Sequence, residues 1–154
     1  DCLHLNVYTS EKCRKSSSCA VLFVIHGGLG IYESTMKFPD KTLVNNFVSQ
    51  DIVVVSTAYR VGAFGIMALG DENALPANLA MHDVLAALKF TRAEIHAFGG
   101  DEDRITLMGP RQVTVVKDDP FFAALLEAFP LVLPFKLEMI RFVNEISIFF
   151  ISCR

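Results

Sequence analysis

The sequence predicts an α/β protein with parallel strands at the centre of its sheet. Three short strand-like runs stand at residues 20–25, 51–59 and 104–108, of which the first is apolar throughout, and two helical patterns separate them. Runs that are apolar throughout are typical of parallel strands that helices cover on both faces. The order strand, helix, strand, helix, strand over residues 20–109 is the pattern of this fold class.

The first element is a shorter strand ahead of this pattern. Leu3, Leu5 and Val7 alternate with more polar residues, which predicts a half-buried strand. The polar residues 10–19 then predict a turn. The buried strand that follows leads into a glycine-rich loop at residues 26–30.

Both intervening helices are predicted from apolar spacing. Residues 41–50 carry a short apolar stripe made of Leu43, Val44, Phe47 and Val48. Residues 79–98 carry a longer stripe made of Met81, Val84, Leu85, Leu88 and Ile95. Gly99 and Gly100 are expected to end the second helix, because glycine adopts the conformation that a helix end requires.

The character of the chain changes near residue 110. Residues 112–154 contain no glycine, are rich in phenylalanine and include three prolines at positions 120, 130 and 134. The segments 121–129 and 135–151 are expected to be helical, broken by the prolines, or else disordered. We therefore divide the chain into an α/β part at 1–109 and a divergent Phe-rich tail at 110–154.

Composition excludes several functions. The chain has 154 residues, of which 52% are hydrophobic and 20% charged, with a net charge of -3. This composition excludes intrinsic disorder and argues against a nucleic-acid binder, which would carry a basic patch. No apolar run is long enough to predict a membrane span. No signal peptide is visible before Asp1, so either one was removed or the chain is an internal fragment. The localisation stays open.

The four cysteines allow three pairings, and the sequence does not choose among them. They are Cys2, Cys13, Cys19 and Cys153. We expect most of them to be free thiols or to have lost their partners.

Four motifs in order resemble the type-B carboxylesterase and cholinesterase family. They are DCLHLNVY at 1–8, VIHGG at 24–28, VVV with YRVGAFG at 53–65, and the helix and loop ending FGGD at 78–101. The segment EIH before FGG is similar to nematode members. The resemblance implies a partial α/β-hydrolase fold, a mostly parallel central sheet flanked by helices, over the N-terminal portion of the family's domain. It implies small carboxylic esters as substrates, a covalent acyl-enzyme and no cofactor or metal. Members are often secreted.

The nucleophile of that family is absent from the matching position. The family places a serine in G-x-S-x-G on a tight turn between a strand and a helix. Gly109 matches the first glycine, but Arg111 stands at the serine and Val113 at the second glycine. A guanidinium stays protonated and has no lone pair with which to attack an ester. We therefore expect no catalytic residue here.

The loop that would bind the oxyanion is retained in altered form. By the resemblance, His26 orders this loop, and the backbone N–H groups of Gly28 and Leu29 are the donors. Leu29 stands where the family has its third glycine, with Gly30 next, so the loop carries either a substitution or a one-residue deletion. Because the nucleophile is missing, we interpret Gly28 and Leu29 as the remnant of an oxyanion hole. The other histidines, His4, His82 and His96, are expected on the surface, and no Ser-His-Asp set can be assembled by matching.

Three functional hypotheses follow. The first is a truncated, inactive carboxylesterase-family chain, the product of a degraded gene copy or of wrong splicing. The second is a fragment of an active carboxylic ester hydrolase, or a copy of one whose sequence is wrong at Arg111. The third is a non-catalytic binding or adhesion module, for which no partner is identifiable. The change of character at residue 110, where the motif fails, favours the first.

Overall fold

The computed structural model describes residues 3–28, 30–67, 78–110, 136–141 and 147–152. In these residues six strands form one sheet, in the order β1-β3-β2-β4-β6-β5. The strands are β1 (Leu5–Tyr8), β2 (Cys19–Ile25), β3 (Val53–Thr57), β4 (Gly100–Pro110), β5 (Lys136–Arg141) and β6 (Ser147–Ser152).

The centre of the sheet is parallel, as the sequence predicts. β2 pairs in parallel with both β3 and β4. β1, β5 and β6 pair antiparallel with their neighbours, so the sheet as a whole is mixed. Parallel neighbours require a crossover, usually through a helix. Two helices lie on these crossovers: α2 (Asp40–Asn46) between β2 and β3, and α4 (Leu79–Glu94) between β3 and β4.

Two short helices complete the described α-helices, and one of them differs from the expectation. Residues 10–19 do not form a simple turn, because α1 (Glu11–Ser16) lies within them; the other short helix is α3 (Ala63–Ile66). The Ser10 side chain caps α1 by accepting a hydrogen bond from the Cys13 N–H at 3.1 Å. Glu11 in the first turn and Lys15 in the last turn complement the helix dipole. Short 3-10 turns stand at Thr35–Lys37, Val48–Gln50 and Ile95–Phe98.

β2 and β3 are buried on both faces, whereas the expectation of a third buried strand at 104–108 is wrong in part, because Arg104 is exposed and only Ile105 and Met108 of that run are buried. Val21, Phe23 and Ile25 of β2 belong to the core that α4 covers. The intervening Leu22 and Val24 belong to a second core with residues of the α2 region. Alternate residues of a strand point to opposite faces, so the continuous apolar run follows from burial on both sides.

The long helix is shorter than the predicted 79–98, because α4 ends at Glu94 and residues 95–98 form a 3-10 turn that leads to Gly99. Val84 and Leu88 on its stripe are buried, and Ile95 in the following 3-10 turn is buried as well. Gly99 ends that turn with φ +84°, in the left-handed region. A Cβ at Gly99 would stand 2.1 Å from the Cys13 carbonyl oxygen. Glycine is therefore required there by conformation and by the close approach of α1.

The expectation of mostly free cysteines is wrong for the two that the structure describes. Cys13 and Cys19 form a disulfide, with their Cα atoms 5.5 Å apart. Because α1 folds residues 11–16 into a helix, it brings two cysteines six positions apart within bonding distance. Cys2 and Cys153 lie outside the described residues.

The expected helix over residues 135–151 is also wrong in part. Lys136–Arg141 and Ser147–Ser152 are strands, and β6 pairs antiparallel with β4, Met108 opposite Phe150. β6 is built mainly from isoleucine and phenylalanine, residue types that favour strands. The segment 121–129 lies outside the described residues. In the part that the structure covers, no helix is both long and apolar enough to cross a membrane.

Candidate functional site

The glycine-rich loop and the end of β4 lie at the same edge of the sheet. β2 and β4 are parallel neighbours, with Val24 opposite Met108. The chain leaves β2 after Ile25 and leaves β4 after Pro110, so both exits are at the carboxyl edge, one strand apart. The topology thus places the loop at residues 26–30 beside the position where residue 111 begins. Leu29 and Arg111 themselves lie outside the described residues.

Tyr59, just beyond β3, holds the start of the glycine-rich loop. Its single hydroxyl proton is shared between the carbonyl oxygens of His26 at 2.7 Å and Gly27 at 3.1 Å, with the shorter contact to His26. The rings of Tyr59 and His26 are stacked, with centroids 4.2 Å apart and an interplanar angle of 10°. Both side chains are buried. The contact therefore joins the ends of β2 and β3 through polar bonds inside the core.

The ionisation of this pair follows from its burial. Burial lowers the pKa of His26 below 6.5, although the Gly27 carbonyl and Glu33 act in the opposite direction. The imidazole is therefore neutral near pH 7. Its Nδ1 lies 3.1 Å from the Gly27 carbonyl oxygen, and the tautomer with hydrogen on Nδ1 donates that bond. Burial, with a contribution from Glu33, raises the pKa of Tyr59 to about 12, so its hydroxyl keeps the proton that it donates.

A tight turn follows at Gly28. Its carbonyl oxygen accepts hydrogen bonds from the N–H groups of Ile31 at 2.8 Å and Tyr32 at 3.2 Å. Its φ is +95°, and a Cβ there would stand 1.9 Å from the Tyr32 carbonyl oxygen. Farther along, the Gly62 N–H donates to the Gly30 carbonyl oxygen at 2.7 Å. The loop is therefore tied to the chain after β3 at both ends.

An ion pair fixes that chain after β3. The Arg60 guanidinium donates to both carboxylate oxygens of Asp83, from Nε at 2.7 Å and from Nη2 at 2.6 Å. The Arg60 backbone N–H donates to the same carboxylate at 3.1 Å. Asp83 is a buried residue of α4, whereas the Arg60 side chain is 36% exposed. This bidentate ion pair holds α4 against the segment that carries Tyr59 and Gly62.

The remaining histidines do not join this arrangement. His4, His82 and His96 are all exposed. His4 precedes β1, which is three strands from β4 in the sheet order. His96 lies in the 3-10 turn before β4, at the opposite edge from the glycine-rich loop. Within the described ranges, no three His, Cys, Asp or Glu side chains come together as a metal site.

Tyr59, Arg60 and Asp83 belong to the sequence motifs, but the motifs alone assign them no role. Asp83 carries a usable signal, since it is an acid next to Val84 on the buried side of a helix. A buried carboxylate needs a partner, and an arginine is the partner best suited to it. Tyr59 carries no such signal, because a tyrosine after a buried strand is ordinary core.

Comparison with known proteins agrees with the motifs. The model of the carboxylesterase family matches residues 1–111. The chain is 37% identical over 109 residues to an acylcarnitine hydrolase of Mus musculus, covering 71% of this chain and 19% of that protein. It is 37% identical over 111 residues to acetylcholinesterase 1 of the nematode Caenorhabditis briggsae, covering 71% and 17%.

Solved structures give the same result for the fold. The carboxylesterase EST55 of Geobacillus stearothermophilus superposes with a TM-score of 0.61 at 37% identity, over 71% of this chain and 23% of that one. Juvenile hormone esterase of Manduca sexta superposes with a TM-score of 0.62 at 29% identity, over 70% and 20%. The chain thus spans about a fifth of the length of the relatives it matches. Over its first 111 residues, and with the partial α/β-hydrolase fold described above, this chain belongs to the carboxylesterase family.

Proposed function

We propose that this chain of 154 residues does not itself hydrolyse carboxylic esters, because Arg111 stands at the nucleophile position of its family. The observation that carries the proposal is the sequence Gly109-Pro110-Arg111, of which Gly109 and Pro110 end β4 next to the end of β2. Acyl transfer in this fold begins with attack by a serine oxygen. A guanidinium supplies no such electron pair at any accessible pH.

The histidines support the same conclusion, because none is arranged as a general base at the end of β4. His26 lies closest in the sheet order, but its ring is stacked against Tyr59 and its Nδ1 faces the Gly27 carbonyl. His4 is three strand spacings from β4, about 14 Å at 4.8 Å per strand. His96 is at the other edge, and His82 is exposed on α4.

The glycine-rich loop then remains as a structural remnant of an oxyanion site. In the family resemblance, Gly28 and Leu29 supply the backbone N–H donors and His26 orders the loop. The tie to Tyr59 and the turn at Gly28 support an ordered loop even though a nucleophile is missing. Donors of this kind stabilise charge only where attack creates it. The loop therefore contributes no turnover here. The boundary between family domain and tail near residue 110 stays a prediction.

The test is turnover of short p-nitrophenyl acyl esters by the purified chain, with a carboxylesterase of the family as the positive control. We expect no hydrolysis above a mock preparation. The double variant R111S/V113G should also stay inactive, because the members of a catalytic triad act as a unit. Turnover by the parent chain that a serine-directed organophosphate abolishes would refute the proposal.

Activity of the double variant has a different meaning. A gain of a hundredfold or more over the parent would show that a base acts near position 111, contrary to the assignment of the four histidines. Labelling of the natural protein by a fluorophosphonate probe would favour an active ester hydrolase with a serine at position 111. Sequencing the transcript downstream of the Gly109 codon would show directly which residue stands there.

A further inference from the structure

The hydrogen bond from the Tyr59 hydroxyl to the glycine-rich loop joins two segments that are far apart in sequence. Tyr59 is 8% exposed and lies two residues beyond β3, yet its hydroxyl bonds to the chain that leaves β2. It bonds to two consecutive carbonyls, those of His26 and Gly27. A single hydroxyl thus contacts two adjacent peptide groups, the second of which also accepts a hydrogen bond from the His26 Nδ1.

The direction of these carbonyls also sets the direction of the next two N–H groups. In a planar trans peptide the N–H points opposite to the C=O of the preceding residue. With the carbonyls of His26 and Gly27 turned toward Tyr59, the N–H groups of Gly27 and Gly28 are directed away from it. The Tyr59 hydroxyl is therefore placed to control how the loop presents its backbone donors.

We propose that Tyr59 is a positioning residue for the glycine-rich loop, which makes the loop's conformation a property of β3 and not of the nucleophile turn. The ring of Tyr59 that stacks on His26 and the Gly62 N–H that donates to Gly30 also belong to the chain that follows β3. The proposal does not rest on the absence of hydrolysis, because its readout is backbone exchange. An active ester hydrolase with the same Tyr59 hydrogen bond would agree with the positioning role equally well.

The variant Tyr59→Phe removes the hydroxyl and keeps the ring that stacks on His26. The matched control is Tyr8→Phe, which removes a hydroxyl that donates to Asp40 at 2.6 Å at the surface. Amide hydrogen–deuterium exchange by mass spectrometry would be compared in peptides covering residues 26–34 and 51–58. Loss of the hydroxyl removes this buried hydrogen bond and makes local opening of the loop easier, so we expect about tenfold faster exchange in the first peptide. The second should change less than twofold, and the control should change neither.

Two results would overturn the proposal. Equal acceleration in both peptides would mean that Tyr59 contributes only to global stability. Unchanged exchange in residues 26–34 would mean that other contacts hold the loop. If Tyr59→Phe does not fold in buffer, both variants would be measured in trimethylamine N-oxide, which favours the folded state but supplies no donor to the two carbonyls. The same two outcomes then decide.

Discussion

Replacing Asp83 with asparagine removes the charge that fixes Arg60 while leaving the size of the side chain unchanged. Three hydrogen bonds reach this carboxylate, two from the Arg60 guanidinium and one from its backbone N–H. The asparagine oxygen can keep at most the two bonds that reach one carboxylate oxygen, from the Arg60 N–H and Nε, and the amide nitrogen would then face Nη2 of the guanidinium. The variant therefore leaves part of a buried arrangement without its acceptor.

The size of the effect follows from the exposure of the two partners. Removing one member of a fully buried ion pair costs about 3–5 kcal/mol. The Asp83 side chain is only 6% exposed, but the Arg60 side chain is 36% exposed, so water can solvate the guanidinium after the change. This exposure lowers the expected loss to about 2 kcal/mol of unfolding free energy.

The assay is equilibrium urea unfolding followed by far-ultraviolet circular dichroism, with the disulfide intact. The matched control is Asp103→Asn. Asp103 is 69% exposed and lies 3.7 Å from the Arg92 guanidinium, so we expect a loss below about 0.5 kcal/mol. Equal losses in the two variants would refute the reasoning, because they would show that burial of the Asp83 carboxylate does not determine the energy.

The same pair predicts a pH dependence. Burial acts to raise the pKa of Asp83, but the hydrogen bonds from Arg60 outweigh it and bring the pKa below 3.8. A lowered carboxyl pKa stabilises the fold above the unfolded value, and this contribution is lost as the pH falls through the folded value. The difference between parent and Asp83→Asn should be complete above about pH 5 and should shrink below 3.8. If the difference in unfolding free energy between the two proteins stayed constant down to the pH of acid unfolding, the ion pair would not be its source.

Two further predictions concern the loops. Replacing Cys13 and Cys19 with serine should lower the unfolding free energy by about 2 kcal/mol, since the disulfide closes a short loop. Reducing the parent with dithiothreitol should lower its urea midpoint to that of the serine variant. A midpoint that reduction leaves unchanged would contradict the prediction. Gly28→Ala should lower the melting temperature more than Gly30→Ala. Both glycines have positive φ, but a Cβ at Gly28 meets the Tyr32 carbonyl at 1.9 Å whereas one at Gly30 meets only Ile66, at 3.6 Å. Equal shifts would mean that φ alone decides.

The sequence predicts the central elements because each is encoded locally. β2 is apolar throughout, β3 begins with three valines, and residues 105–108 of β4 are mostly apolar, while the apolar stripe that begins in α4 stops before Gly99. Burial on both faces and the left-handed cap at Gly99 follow directly from these patterns. The family assignment rests on similarly local motifs.

What the sequence does not predict depends on contacts between distant segments. The polar segment of α1 lacks an apolar stripe, so its only signals are the Ser10 cap and its charge order. The disulfide depends on that helix, and the pairing of β6 with β4 joins residues about forty positions apart. The apolar spacing places Val44 on the buried stripe of α2, but Val44 is 38% exposed and Leu43 is the buried residue of that helix. The role of Tyr59 depends likewise on strand order.

The parallel centre of the sheet also determines how long β2 waits for a neighbouring strand during synthesis of the chain. β2 is complete at Ile25, but Val21 pairs with Ile105 of β4, more than eighty positions later. At about 5–20 residues per second, roughly 4 to 16 s pass before that neighbour has been made. During this interval the strand with the most continuous apolar sequence lacks one of its two partners. Until β4 has been made, the edge of β2 that it will occupy carries unpaired backbone N–H and C=O groups, which can pair with another chain.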